Sequence, residues 1–293
     1  MSILSVSPHI HSGSSTRIIM RDVLIALTPA AVVSIWLFSW AAVITLTVAI
    51  ASAVLAETVF QHYAKRPNSI YDLSAVVTGV LLAFCLPPTL PWWATAIGSI
   101  FAIVVVKQFF GGLGFNIFNP ALAARAFLLA SYPVFMTTWV KPFDTVTSAT
   151  PLVALKFHFA SMYSLKDLFL GIHGGSLGET SVLALLIGAG YLLARQVIDW
   201  RIPIAYMGTV ALFAFCAGQN VPHHLLAGGL VLGAFFMATD YASSPMRTKA
   251  QLIFGAGCGI LTMVIRLWGG YPEGVCYAIL IMNMFVPLLD RMK

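Results

Sequence analysis

The residues best suited to chemistry form a short hydroxyl-rich string, DTVTSATPL, which runs from Asp144 to Leu152. Small hydroxyl residues ahead of a proline favour a tight exposed turn, and such a side chain can also cap a helix. A threonine hydroxyl is a weak nucleophile, so covalent chemistry at Thr150 would need an activating partner or a separate enzyme. The residues themselves leave two interpretations open, a structural turn and a site of modification.

Acidic side chains are a second candidate group, because the chain has only 10 Asp and Glu against 16 Lys and Arg. Ionisable groups inside a membrane are costly and usually mark an ion pathway or a paired site. Glu57 lies close in sequence to Lys65 and Arg66, so an ion pair at a helix end is an alternative to a transport role. The acids within or at the edge of apolar segments are Asp22, Glu57, Asp72, Glu179, Asp240 and Glu273.

Two amide side chains, Asn116 and Asn119, precede Pro120 in a segment that can interrupt a helix. Interrupted backbone at membrane depth is tolerated where it lines a cavity or is buried in protein. The two amides can therefore face a ligand, or they can cap a helix and hydrogen-bond to neighbouring helices. The nearby GGLG at 111–114 is rejected as a nucleotide fingerprint, since it follows an apolar helix and no βαβ unit surrounds it.

Neither a metal site nor a haem is expected. The four cysteines lie in apolar segments and form no CxxC pair, which is typical of buried packing thiols. The seven histidines lie in tails, loops or at the ends of apolar segments. A membrane haem needs axial ligands that face each other inside the helix bundle, and these positions do not provide them.

The elements that must position these residues are membrane helices. The chain is 59% hydrophobic and 9% charged, with a mean hydropathy of +0.91, whereas soluble domains carry about 25% charged residues. A soluble fold is therefore excluded. Apolar runs close to the ~20 residues that cross a bilayer predict an all-α membrane protein of about ten transmembrane helices. The predicted spans are 22–39, 41–60, 71–88, 92–110, 119–138, 180–197, 202–218, 223–239, 250–268 and 273–289.

One long connection, 139–179, separates the spans of residues 1–138 from those of residues 180–293. Because each half has five spans, an odd number, the halves enter the membrane in opposite senses, which predicts two inverted five-helix repeats. FNIFNPAL at 115–122 and IMNMFVPLL at 281–289 end the two halves with a similar pattern of Asn, aromatic and Pro.

Basic residues set the orientation. With a cytoplasmic N-terminus, most of the 16 Lys and Arg lie on the cytoplasmic side, as the positive-inside rule requires. Both termini are then cytoplasmic, and the 139–179 connection with Thr150 lies on the outer side. These basic residues lie at helix ends, so they indicate topology and not a nucleic-acid partner.

Four strings resemble the family of membrane proteins that contains Rnf D and Nqr B. KPFDTVTSATPL at 141–152 is similar to the family's flavin-attachment motif, usually Ser or Thr, a small residue, Ala and then Thr. The resemblance covers the chain from about residue 17 to the end, and the short N-terminal segment favours the Rnf D branch. The other strings are GGLGFNIFNPALAARAF at 111–127, GGSLGETSVLALLIG at 174–188 and MATDYASSPMRTKAQLIFGAGCGILTMVIRLWGGYPEGVCYAILIMN at 237–283.

The resemblance implies a membrane component of the Rnf complex, a translocase in the inner membrane that couples electron transfer between ferredoxin and NAD to Na⁺ or H⁺ movement. In that family the matching residue, here Thr150, carries FMN through a phosphoester made by a flavin transferase. Thr147, Ser148 and Ala149 would shape the turn that the transferase recognises. Partners would be the other components of the complex, including a flavoprotein on the outer face, and membrane lipid.

Further sites are implied by the same resemblance. A noncovalent riboflavin would contact Asn116 and Asn119. Glu179 and Asp240, which fall in family-like strings, are candidates for an ion pathway, with helix capping or loop pairing as the alternative. Glu57 is a third candidate because of its place in an apolar segment and not because of the resemblance. No catalytic residue is expected in this chain, and the NAD site is expected elsewhere because the sequence has no dinucleotide-binding unit.

Two other classes of function stay open on architecture alone. A five-plus-five inverted bundle is also the architecture of a solute channel or carrier, and a passive assembly protein is a third class. Flavin that stays with the denatured chain distinguishes the redox protein from both.

Overall fold

The computed structural model describes residues 15–67, 69–143, 150–156, 163–271 and 273–292. The elements assigned in these ranges are helices, which confirms the predicted all-α fold. The first half contains α1 (Thr16–Phe38), α2 (Trp40–Tyr63), α3 (Ser74–Phe84), α4 (Trp92–Ile100) with a π-helical continuation (Phe101–Gln108), and α5 (Pro120–Ser131). Short helices in the connection are α6 (Pro133–Thr137), α7 (Pro151–Lys156) and α8 (Leu165–Leu170). The second half contains α9 (Val182–Ala194), α10 (Arg201–Cys216), α11 (Val221–Leu226), α12 (Leu230–Leu232) with a π-helical continuation (Gly233–Met237), α13 (Thr248–Trp268) and α14 (Val275–Leu289).

Three helices of the described ranges, α1, α2 and α13, are long and apolar enough to cross a membrane by length and composition. Six shorter apolar helices have 10–17 residues: α3, α4 with its π-helical continuation, α5, α9, α10 and α14. Each of these helices overlaps one predicted span. The remaining predicted span, 223–239, corresponds to the interrupted pair α11 and α12.

Two predicted spans are shorter or more broken than the hydropathy pattern indicates, and local chemistry explains both. In span 71–88 a short 3-10 helix (Ile70–Asp72) precedes α3, and α3 ends at Phe84, because Pro87 and Pro88 disfavour helical backbone in the residues before them. Span 223–239 breaks at Gly228, whose φ of +73° lies in the left-handed region that glycine adopts readily.

A buried segment, residues 173–181, packs against the backbone that follows α3. The N–H of Leu177 donates to the carbonyl of Leu86 (3.1 Å), and the N–H of Gly178 donates to the carbonyl of Phe84 (2.9 Å). The hydroxyl of Ser34 on α1 donates to the Leu177 carbonyl (2.6 Å). Irregular backbone is stable inside an apolar bundle only when its polar groups are paired in this way. The last part of the predicted outer connection, 173–179, is thus buried among the helices.

The halves contact each other mainly through α1 and α9, and each half has a similar internal order. In the first half α2 packs on α3 and α4; in the second α10 packs on α11 and α13. This agreement supports the inverted repeat, which stays a prediction.

The close approach of α1 and α9 generates a prediction. A Cβ at Gly188 would overlap the Ala26 carbonyl oxygen, whereas a Cβ at Gly190 on the same helix meets nothing within 4 Å. Overpacking a tight contact costs about 1–3 kcal/mol. We expect Gly188→Leu to lower the thermal unfolding temperature in detergent, with Gly190→Leu close to wild type. Equal stability of the two variants would contradict the tight contact.

Candidate functional site

Arg125 is a buried cation that joins the two halves. It lies on α5 with 7% of its surface exposed. Its guanidinium donates to Glu179 (3.3 Å) and forms a second ion pair with Glu273. Glu179 belongs to the buried segment that ends the 139–179 connection ahead of α9, and Glu273 precedes α14 in the second half. With both carboxylates ionised, the cluster has a net charge of −1.

A second buried ion pair lies where α2 approaches the π-helical continuation of α4. Lys107 donates to both carboxylate oxygens of Glu57 (2.8 and 3.1 Å), and the amide of Gln108 donates to the same carboxylate (2.8 Å). Glu57 and Lys107 are 0% and 1% exposed. Glu57 is therefore ion-paired, but its partner is Lys107 and not the neighbouring Lys65 or Arg66.

A small cavity of about 40 Å³ connects this region to Asp240, and its lining includes Lys107, Asn116 and Asp240. The volume suffices for water molecules but not for a larger ligand. The buried Oδ1 of Asn116 has no hydrogen-bond partner among the described residues. Asp240 accepts a hydrogen bond from the hydroxyl of Ser243 (3.0 Å). Burial raises the pKa of Asp240 above its ordinary value, although the Ser243 hydrogen bond opposes this rise.

Asn119 caps α5 and links it to the second half. Its Oδ1 accepts from the N–H groups of Ala121 (3.1 Å) and Leu122 (3.3 Å), and its Nδ2 donates to the Met237 carbonyl (3.3 Å). Asn283, with its amide oxygen turned toward α5, accepts the backbone N–H of Asn119 (3.1 Å). Of the two interpretations that the sequence left open for Asn119, the structure shows the capping and interhelical hydrogen bonds. Riboflavin at Asn116 and Asn119 stays a prediction, and it would require a larger cavity than the one beside Asn116.

Thr150 immediately precedes α7 and is 3% exposed. Its hydroxyl oxygen accepts the N–H of Val153 (3.3 Å). Thr147, Ser148 and Ala149 lie outside the described residues, so their predicted role stays a prediction. Beside α7 lies a cavity of about 840 Å³, whose lining includes residues of α7, α10 and α13.

Comparison with known proteins identifies the family. The model of the NQR2, RnfD, RnfE family matches residues 3–293. The chain belongs to this family. A relative from Acetobacterium woodii, named as the D subunit of a Na(+)-translocating ferredoxin:NAD(+) oxidoreductase complex, is 53% identical over 98% of this chain and 92% of its own length.

Other relatives in the family have related names. The D subunit of a proton-translocating ferredoxin:NAD(+) oxidoreductase complex from Clostridium ljungdahlii is 45% identical over 98% of this chain and 93% of its own length. The D subunit of an ion-translocating oxidoreductase complex from Stutzerimonas stutzeri is 40% identical over 95% of this chain and 90% of its own length. Family membership and apolar helices together make this a multi-pass membrane protein.

Within this family member, the basic partners of the buried acids were not predicted from sequence. Neither Lys107 nor Arg125 had a predicted site role, yet each pairs with a candidate acid. Arg266 and His224, beside the large cavity, were also missed. A usable signal existed for Arg125, since a lone arginine inside an apolar span needs a buried anionic partner.

The Arg125 cluster predicts a stability difference. Arg125→Met leaves the buried Glu179 and the partly buried Glu273 without a cation, and breaking a buried pair costs about 3–5 kcal/mol. We expect a large loss of folded protein in detergent, measured by size-exclusion chromatography after heating. Arg125→Lys should lose less folded protein than Arg125→Met but more than wild type, because one ammonium cannot reproduce the planar guanidinium that binds two carboxylates.

The control for this prediction is Arg21→Met, whose side chain is 59% exposed and should be neutral. Adding Glu179→Gln and Glu273→Gln to Arg125→Met removes the unpaired charges and should restore part of the stability. If the triple variant is no better than Arg125→Met, the charges are not the cause of the loss.

Proposed function

We propose that the chain is the membrane-embedded D component of an ion-translocating ferredoxin:NAD oxidoreductase complex, in which it transfers electrons and participates in ion movement. The observation that carries the proposal is similarity over nearly the whole chain to relatives that are named as this component. One relative is named for Na⁺ and another for protons, so the proposed ion is a small monovalent cation of either kind.

The other components of such a complex are the proposed partners, including a flavoprotein on the outer face. We assign the nicotinamide chemistry to one of those partners, because a dinucleotide site is built from a βαβ unit and the described residues form helices. The proposed location is the inner membrane, with both termini cytoplasmic and Thr150 on the outer side. Paired Arg195 and Asp22 (3.2 Å), both at the predicted cytoplasmic end, are compatible with that orientation.

We propose FMN, attached covalently to Thr150, as the electron carrier. Support comes from the motif at 141–152 and from the fit of Thr150 to this task. Its oxygen accepts the Val153 N–H, a hydrogen bond that a phosphoester oxygen can keep, and a large cavity lies beside α7. Bound FMN would supply electron-transfer chemistry that these side chains lack. The chain itself would hold and orient the cofactor.

Ion movement is proposed to use the three candidate acids, Glu57, Glu179 and Asp240. Lys107, the partner of Glu57, lines the same small cavity as Asp240, so two of the three candidate acids lie close to one polar space. Glu179 is the third, and its pairing with Arg125 puts it at the contact between the halves. Polar groups at such a contact are where carriers built from inverted repeats bind their ions.

Covalent attachment gives the decisive test. We expect Thr150→Ala, coexpressed with a flavin transferase, to lose the fluorescent band on a denaturing gel, because only a covalent bond survives denaturation. Thr150→Ser should keep part of the band, since a hydroxyl remains. Thr145→Ala and Thr147→Ala are the controls and should stay fluorescent. A Thr150→Ala chain that still fluoresces would show that the flavin is attached at another residue. A wild-type chain that never fluoresces would favour the solute-carrier alternative.

The ion proposal is tested separately at Asp240. Asp240→Asn removes a charge at nearly constant volume, so we expect slower ion-coupled turnover with unchanged flavin content. Asp199→Asn is a matched control, because Asp199 pairs with Arg201 at the surface of the same end of the bundle. Ion transport measured in vesicles should fall for the first variant only. Equal transport by both variants would indicate that Asp240 has only a structural role, as the acceptor of the Ser243 hydrogen bond.

A further inference from the structure

The 840 Å³ cavity beside α7 has the size and walls of a site for a flat organic molecule. Small-molecule sites commonly have about 300–1,000 Å³ and mainly apolar walls with a few polar groups. Here the walls include Phe213 on α10 and Trp268 at the end of α13, whose rings lie 6.2 Å apart, centroid to centroid. The cavity can therefore hold an extended ring system.

Two buried polar side chains at this cavity lack partners. His224 on α11 is 4% exposed, and neither ring nitrogen has a hydrogen-bond partner in the part of the chain that the structure describes. Arg266 on α13 is 3% exposed, and its Nε is likewise unpartnered in that part. Unsatisfied buried polar groups are costly, so their presence in the wall of a cavity indicates a ligand that satisfies them.

Charge narrows the chemistry of that ligand. Arg266 donates to the carbonyls of His224 (2.6 Å) and Ala227 (3.1 Å), and it forms no ion pair with a described carboxylate. Lys156 also lines the cavity, and the lining contains no acidic residue among those the structure describes. The polar side of the cavity thus offers positive charge and hydrogen-bond donors. A suitable ligand has an apolar ring body and one edge rich in hydrogen-bond acceptors.

Distance along the chain connects the cavity to Thr150. Leu152 lines the cavity, and two residues of backbone span at most about 7 Å. A group tethered at Thr150 would therefore be held next to the cavity at a high effective concentration.

We propose that this cavity binds the isoalloxazine ring of an FMN attached to Thr150, with Arg266 and His224 binding the carbonyl-bearing edge of the ring. The inference rests on the proposed attachment and adds the residues that hold the ring. Hydrogen bonds to that edge would satisfy the unpartnered nitrogens. The fixed charge of Arg266 would favour electron density added to the ring and so raise its reduction potential.

Cys216 provides a reporter inside the cavity. It is exposed and lines the cavity, whereas Cys85, Cys258 and Cys276 are buried and serve as internal references. The full chain would be produced with and without a flavin transferase, treated in membranes with N-ethylmaleimide, and analysed by peptide mass spectrometry. We expect attached FMN to reduce Cys216 labelling several-fold. Thr150→Ala should label fully under both conditions.

Variants at the polar edge test the assigned contacts. His224→Leu is the safer substitution, because this side chain has no hydrogen-bond partner to lose among the described residues. We expect it to be stable without flavin, to keep the covalent band, and to restore part of the Cys216 labelling. Arg266→Met should lower the reduction potential of the attached flavin in a spectroscopic titration. It should also weaken binding of free riboflavin to the Thr150→Ala chain by about ten- to a hundredfold, the range for losing hydrogen bonds to a charged group.

The matched control is Arg201→Met at the opposite end of α10, which should leave labelling, potential and riboflavin affinity unchanged. A wild-type chain without the covalent band, or a Thr150→Ala chain that keeps it, would refute attachment at Thr150, and with it the basis of this proposal. Suppose instead that the covalent band is normal, and that neither His224→Leu nor Arg266→Met changes Cys216 labelling or the reduction potential of the flavin. That result would overturn the ring site but not the attachment at Thr150. If anionic lipid reduces Cys216 labelling and riboflavin does not, the cavity binds a lipid headgroup and the proposal is refuted.

Discussion

A guanidinium inside an apolar bundle must be neutralised by groups that the fold brings to it, and Arg125 imposes this requirement on both halves. Its two carboxylates belong to the segment ahead of α9 and to the loop ahead of α14, so both of these stretches have to enter the bundle. The segment that carries Glu179 does so by pairing its backbone with the residues that follow α3. Gly178 permits the approach, since a Cβ there would overlap Phe84. The early end of α3 leaves the space for this segment.

The same requirement explains where the other polar groups lie. Interrupting a helix frees carbonyl groups, and in an apolar interior each freed carbonyl needs a donor. At the break between α11 and α12, Arg266 supplies that donor to His224 and Ala227. Near the π-helical continuation of α4, Lys107 and Gln108 surround the Glu57 carboxylate. Polar clusters and helix irregularities therefore occur together.

These clusters occupy different levels of the bundle. Asp240 and the Glu57 pair lie at the predicted cytoplasmic end, the Arg125 cluster lies between the halves, and the cavity beside Thr150 lies at the predicted outer end. In the proposed function, ion-handling groups and the electron carrier are thus separated. The Arg125 cluster, which includes the third candidate acid Glu179, lies between them.

The sequence by itself determined the all-helical membrane class, the approximate position of nearly every helix, and the family-like string that ends at Thr150. These properties depend on local hydropathy, on the positions of proline and glycine, and on the residues of a short motif, all of which can be read directly from the sequence. Only the tertiary structure decided that Glu57 pairs with Lys107, that Arg125 bridges two acids, and that His224 shares a cavity with α7. The physical reason is separation along the chain: these partners lie about 50 to 150 residues apart, and hydropathy sets helix length without setting which faces meet.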